Sequence, residues 1–146
     1  MNTPSRTVVT FIAAAVVAAG SVALMAQTSD ELAEAAAKPA PIPKEAKNRP
    51  NPVEATEDSV ARGELLFASQ CTMCHGKDGK GTGDLVERLK LPMPDFTDAE
   101  MQKQWTDGAL FYVLTEGHGR MPSQGDRFQE RTKWDLINFV RSFPGS

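Results

Sequence analysis

Both cysteines of the chain fall in one pentapeptide, Cys71-Thr72-Met73-Cys74-His75, which also holds one of its two histidines. Two thiols one helical turn apart can each form a thioether with a vinyl group on one edge of a porphyrin. The adjacent imidazole then meets the iron from one side, which is the spacing of covalent c-type haem attachment. An imidazole that binds iron in its neutral form also needs an acceptor for its other ring nitrogen. Three further uses of the same residues stay open. A thioredoxin-like dithiol needs a preceding strand, whereas a helical stripe precedes Cys71. A zinc site would draw on Cys71, Cys74, His75 and His118, without a second cysteine pair or closely spaced histidines. A plain Cys71–Cys74 disulfide fits an oxidising compartment.

The elements that must position these residues are legible from apolar periodicity. Val60, Gly63, Glu64 and Phe67 occupy i, i+3, i+4 and i+7, placing Gly63 and Phe67 on one helical face just before Cys71. Leu110, Phe111, Val113 and Leu114 form a second stripe, opened by Thr106-Asp107 and stopped by Gly117, which favours a helix over a short strand there. Leu136, Phe139, Val140 and Phe143 fill a third stripe that ends before Pro144. Thr97 and Glu100 have capping-box spacing, which predicts a short helix over 98–105. No alternating pattern competes, so the domain is expected to be all-α. The glycine-rich run Gly76–Asp84 fails as a phosphate loop because Thr82 stands where the lysine is needed. It fails as a calcium loop too, with Lys80 and Thr82 in place of oxygen-rich ligands, and reads as a mobile surface loop.

The 146 residues divide into three stretches. Residues 1–26 carry Arg6 and then an apolar run over residues 8–26, the marks of an export signal or an N-terminal membrane anchor. Residues 27–56 are rich in Pro and Ala, with Pro39, Pro41, Pro43, Pro50 and Pro52, and read as a flexible linker. Residues 57–146 form the domain. With 40% apolar and 24% charged residues the chain is not a multi-span membrane protein. A net charge of −3 gives no basic excess for phosphates, which argues against nucleic-acid binding.

Gly63-x-x-x-Phe67 before the Cys-x-x-Cys-His motif, Gly117-x-x-x-Met121-Pro122 after it, and the terminal Trp134–Arg141 helix together resemble class I monohaem cytochromes c. The resemblance covers about residues 57–144. It implies a small all-α fold of three main helices plus a short one, wrapped around one covalently bound haem c. It implies attachment through Cys71 and Cys74, with His75 and Met121 as axial ligands of the iron. His118 and Met93 are the competing distal ligands, and Met73 and Met101 are less well placed. Pro92 or Pro94 would offer a carbonyl to the His75 ring, Trp105 or Arg120 a donor to a haem propionate, and Trp134 packing alone. Gly63 and Phe67 would meet Leu136 and Phe139 where the first and last helices cross. With both axial positions filled the expected role is a one-electron carrier, not an enzyme. Its expected partners are redox proteins outside the cytoplasm: a quinol-oxidising complex, a terminal oxidase or a periplasmic dehydrogenase. Residues 8–26 would then serve as export signal or tether to the inner membrane. The alternatives are a permanently docked subunit of a membrane redox complex, or an open-site haem enzyme or gas sensor.

Overall fold

The architecture follows from what α-helices need at their ends and what their apolar faces must cover. A computed structural model describes residues 39–143. Residues 1–26, the first part of the linker stretch (27–38) and Pro144 lie outside the described residues. The helices are α1 (Lys44–Lys47), α2 (Glu57–Gln70), α3 (Thr72–His75), α4 (Asp84–Leu89), α5 (Ala99–Gln104), α6 (Asp107–Glu116) and α7 (Glu130–Arg141). Among the described residues there is no strand, and His118 and Met121 form an isolated two-residue bridge. The fold is all-α, as expected.

The three long helices are those read from periodicity, and their caps explain their limits. Thr56 accepts from the Ser59 N–H at the start of α2, with Glu57 and Asp58 in the first turn where the helix dipole favours acids. Thr106 accepts from the Ala109 N–H to open α6, and Gly117, at φ 83°, ends it in a conformation that favours glycine. The cap of α5 differs from expectation. Asp98, not Thr97, accepts from the Glu100 and Met101 N–H groups, while the Thr97 hydroxyl donates to Asp95. Aspartate one residue nearer the helix reaches both orphan donors, so it displaces the threonine.

Helix α7 is the keel. Leu136 and Val140, with Phe143 just beyond the helix end, face α2 in a buried cluster with Phe67, Phe96 and Leu114. Trp134 and Ile137 turn another towards α6, where Trp134 stacks on Phe111 with ring centroids 4.2 Å apart. Each such side chain is worth about 1.5–3 kcal/mol when withdrawn from water. The α2–α7 crossing depends on Gly63. A Cβ there would stand 2.1 Å from the Asp135 carbonyl oxygen and 2.8 Å from the Phe139 Cβ. Phe67 lies one turn further on, its ring 5.2 Å from that of Phe139. The expected crossing is thus found.

Buried polar groups pin the same crossing. Arg62 donates two bonds to Asp135, at 2.8 and 2.9 Å, and the buried Ser59 hydroxyl donates a third at 2.7 Å. Asn138 Nδ2 donates to Ser59 Oγ at 2.8 Å and to the Val53 carbonyl at 3.1 Å. Its Oδ1 accepts from Asn51 at 2.8 Å.

Those last bonds correct the linker reading for residues 43–56, which lie along α6 and α7 as a strap. Arg49 covers Phe111 at 4.3 Å and Trp134 at 5.2 Å, and it pairs with Glu130. The Thr106 hydroxyl donates to the Lys47 carbonyl at 2.7 Å. Gly108 lets the strap approach, since a Cβ there would stand 2.1 Å from the Ala46 carbonyl oxygen. Prolines exclude a long helix from this stretch, but its polar side chains and carbonyls complete a network rooted on α7.

Two outcomes follow from the crossing. Gly63→Ala should lower stability by about 1–3 kcal/mol, because a helix backbone must move to admit one methyl group. Urea unfolding of the two proteins measures it, and equal midpoints would refute the close approach. Hydrogen bonds from Arg62, and then from Ser59, hold the Asp135 carboxyl below its ordinary value of 3.8. A group with a depressed folded pKa stabilises above its unfolded pKa, and that contribution is lost as pH falls through the folded value. Asp135→Asn should therefore cost about 1–3 kcal/mol at neutral pH, and the gap from wild type should close below about pH 4. A gap that is constant with pH would exclude the ionised carboxylate as its source.

Candidate functional site

The site is built where α2 ends. The Cys71 N–H still donates to Phe67 O, and Cys71 then serves as the cap from which the single turn α3 starts. The Cys74 and His75 N–H groups both donate back to Cys71 O, at 3.2 and 2.9 Å. The two thiols are free, half-buried and one turn apart. Burial pushes the Cys71 thiol up to about 11, against the opposing pull of the Arg127 charge.

His75 turns inward. Its ring stacks on Phe96, centroids 4.8 Å apart and planes 16° from parallel, with Phe67 at 6.2 Å. Burial pushes its pKa down to about 4, so at neutral pH the imidazole is uncharged, the form that binds a metal. Its Nδ1 is buried without a hydrogen-bond partner. The expected bond to a carbonyl of Pro92 or Pro94 is therefore not made here; the Pro94 carbonyl lies against Gly81 instead.

The glycine-rich run is a surface loop, as its composition suggested, with Lys77, Asp78, Lys80 and Thr82 exposed, but its glycines are packed inward. Gly76, Gly79, Gly81 and Gly83 are buried. The Gly81 N–H donates to His75 O at 2.9 Å and the Gly83 N–H to Cys74 O at 3.2 Å, so the run caps α3 with backbone donors. A Cβ on Gly83 would stand 2.4 Å from the Met73 carbonyl oxygen. Beyond it the Phe96 N–H donates to Gly79 O at 2.8 Å, which sets the ring beneath His75. Phe96 went unnoticed in the sequence because it belongs to no periodic stripe.

The distal candidates separate by position. Met121 is half-buried and packs on the cluster of Phe67, Phe96 and Leu114 that also receives Cys71. Its backbone is fixed by His118, each N–H donating to the other's carbonyl at 3.0 Å. Met101 packs on the same cluster from α5. The His118 ring meets Trp105 edge-on at 6.1 Å, Met93 lies beside Gly81, and Met73 is 60% exposed. Arg120 is exposed and Trp134 is fully buried, its indole Nε1 without a partner. The structure thus gathers Cys71, His75 and Met121 around one apolar cluster and leaves Met73 and Arg120 outside it.

A second network holds that cluster from behind. The buried Gln102 donates to Phe96 O and Val140 O, at 2.7 and 2.9 Å. Arg141 donates to Asp107 at 2.8 Å, to Gln102 O at 2.7 Å and to the Trp105 carbonyl. Neither residue carried a signal in the sequence beyond ordinary helix-surface polarity.

The donor set discriminates among the chemistries. Among the described residues no strand precedes Cys71, which argues against the thioredoxin-like context. Among the described residues no three of His, Cys, Asp and Glu are grouped as ligands for a metal ion, which argues against the four-ligand zinc set. A neutral imidazole beside half-buried free thiols on an apolar wall fits a haem that supplies its own four nitrogen ligands.

Residues 58–140 match the family described as cytochrome c oxidase, cbb3-type, subunit III. The chain belongs to this family. It is a class I c-type cytochrome domain, and the cofactor of such domains is covalently bound c-type haem. The subunit FixP of a cbb3-type oxidase from Rhizobium etli is 31% identical over 59% of this chain and 28% of its own length. Thiosulfate dehydrogenase from Allochromatium vinosum is 31% identical over 60% of this chain and 33% of its own. Cytochrome c6 from Alaria esculenta is 28% identical over 56% and 87%. The chain therefore spans about a third or less of the two larger relatives. Among solved structures, the KustC0563 c-type cytochrome is similar with a TM-score of 0.50 and 31% identity, covering 56% of this chain and 96% of that one. A chain of a Kuenenia stuttgartiensis reducing HAO-like protein complex shares the fold at a TM-score of 0.54 and 22% identity, over 64% of this chain and 47% of its own.

Proposed function

We propose that this domain is a one-electron carrier whose haem is joined to Cys71 and Cys74, with His75 and Met121 as the axial ligands. The observation that carries the reading is the buried, neutral His75 imidazole, one turn from a half-buried thiol pair and facing the apolar cluster on which Met121 packs. Bound there, c-type haem supplies an Fe(III)/Fe(II) couple. The protein's own residues do the rest. Cys71 and Cys74 hold the group by its edge, and the turn of α3 fixes the separation of their sulfurs. His75 offers a nitrogen that needs no deprotonation at neutral pH. Met121 offers a soft thioether that favours the reduced metal and so raises the reduction potential relative to a second histidine. Phe67, Phe96 and Leu114 exclude water from the same wall, and a metal held by both His75 and Met121 would leave no site for O₂ or peroxide. The product of this arrangement is electron transfer, not bond-making catalysis.

The partners of such a carrier are redox proteins: a quinol-oxidising complex, a terminal oxidase or a periplasmic dehydrogenase. Its place is outside the cytoplasm, with residues 1–26 as export signal or anchor. Among the described residues no helix is long and apolar enough to cross a membrane. The match to an oxidase-subunit family favours a second reading, in which the domain is a fixed subunit of a membrane redox complex. Purification without detergent as a free monomer supports the mobile carrier; co-purification with an oxidase core supports the subunit.

Met121→Ala in the haem-loaded protein should lower the reduction potential and abolish the near-infrared band of a thioether–iron bond. An unchanged potential with that band intact would remove Met121 from its role. Cys71→Ser with Cys74→Ser should release the pigment into acidified acetone, whereas wild type retains it; retention by the double variant would end the attachment reading.

A further inference from the structure

Between the end of α2 and the loop that carries Met121 there is one guanidinium that touches both sides. Arg127 Nη2 donates to Gln70 Oε1 at 2.7 Å, and Nη1 donates to Gln124 Oε1 at 2.8 Å. Gln70 is the last residue of α2 and the immediate neighbour of Cys71. Gln124 belongs to the turn that follows Met121-Pro122. Its N–H donates to Leu114 O on α6 at 3.0 Å, and its side-chain nitrogen donates to Pro122 O at 3.1 Å. The Arg127 N–H closes the turn on Gln124 O at 3.2 Å, and its guanidinium lies 5.5 Å from the Phe128 ring.

We propose that Arg127 is a positioning residue for the redox site: it braces the Met121 loop against the Cys71 end of α2 and places a fixed positive charge beside the haem. The inference rests on the axial role proposed for Met121. Three features carry it. A planar guanidinium holds two acceptors in a fixed relation, which a flexible ammonium does not. Its two bonded acceptors are neutral amides, so the bonds orient the charge without cancelling it. The charge also stands beside the attachment residue, since Nη2 bonds Gln70, which adjoins Cys71. A cation near a redox metal favours the state with one positive charge fewer, so Arg127 biases the site towards Fe(II). It adds to what the thioether contributes from within the coordination shell.

Charge and brace separate by substitution in the full-length, haem-loaded protein. Arg127→Gln keeps a donor and removes the charge. At low salt, and at an ambient potential equal to the wild-type midpoint, its Fe(II)/Fe(III) ratio should fall by roughly threefold or more. Added salt should narrow that difference, because the guanidinium is reached by solvent. Arg127→Lys keeps the charge and should hold the ratio near wild type. Both variants should lose the thioether–iron band at lower urea than wild type, since neither ties Gln70 to Gln124 in the same fork. A ratio for Arg127→Gln equal to wild type at low salt overturns the charge role. Retention of the band to the wild-type urea concentration in both variants overturns the brace. Failure of the axial reading shows separately, in Met121→Ala, as an unmoved potential with the band intact.

Discussion

The fold hangs on the contact of two backbones at Gly63. Because no side chain separates α2 from the Asp135 carbonyl, the helices approach closely enough for Phe67 to enter the cluster formed by Leu136, Val140 and Phe143. That cluster decides where α2 ends and therefore where Cys71 sits. It also supports Phe96, whose ring in turn sets the plane of His75. A wider crossing would admit water between Phe67 and Phe143 and lose the wall against which His75 is held neutral. The position of the chemistry is thus a consequence of one absent methyl group, transmitted through the mutually contacting rings of Phe67, Phe96 and Phe143 to His75.

Much of this was readable from residue order, and the reasons differ by element. Helices α2, α6 and α7 announce themselves because each must bury a stripe, and a stripe leaves a period in the sequence. Thr106 and Gly117 mark the ends of α6 because orphan N–H groups and a positive φ restrict the residue types allowed there. The attachment motif is legible because its geometry is contained in five consecutive residues. What escaped has no period and no local rule. Phe96 is held by the Gly79 carbonyl and the Gln102 amide, contacts that arise only once α5 and α7 are packed. The strap of residues 43–56 resembles a linker because its own residues bury little. What fixes it is Asn138, Phe111 and Trp134, more than fifty residues away in the chain.

The glycine-rich run shows the same limit in another form. Composition marks Gly76–Asp84 as loop, and it is loop. Composition does not distinguish a loop rich in glycine for freedom from one rich in glycine for close approach. Here the second holds, because a side chain at Gly83 would strike the Met73 carbonyl and the freed N–H groups cap the turn that carries Cys74 and His75. The α3 turn is too short to satisfy its own carbonyls, so the loop behind it must supply the donors.

Two polar seams flank the apolar cluster, and both are rooted on α7. One joins Asn51, Asn138, Ser59, Asp135 and Arg62; the other joins Gln102, Arg141 and Asp107. Their bonds are satisfied within the protein, so they gain nothing by turning towards a change of charge in the core. A site that gains and loses one electron benefits from such surroundings, because every dipole that reorients with the charge adds to the barrier for transfer. Fully bonded seams hold their dipoles still, and the aromatic wall between them has few dipoles to move. The side left to respond to its surroundings is the loop from His118 to Arg127, whose side-chain bonds are solvent-exposed. With Met121 and Arg127 in the roles proposed for them, control over the redox balance would concentrate in that loop, while the crossing of α2 and α7 keeps the opposite wall constant.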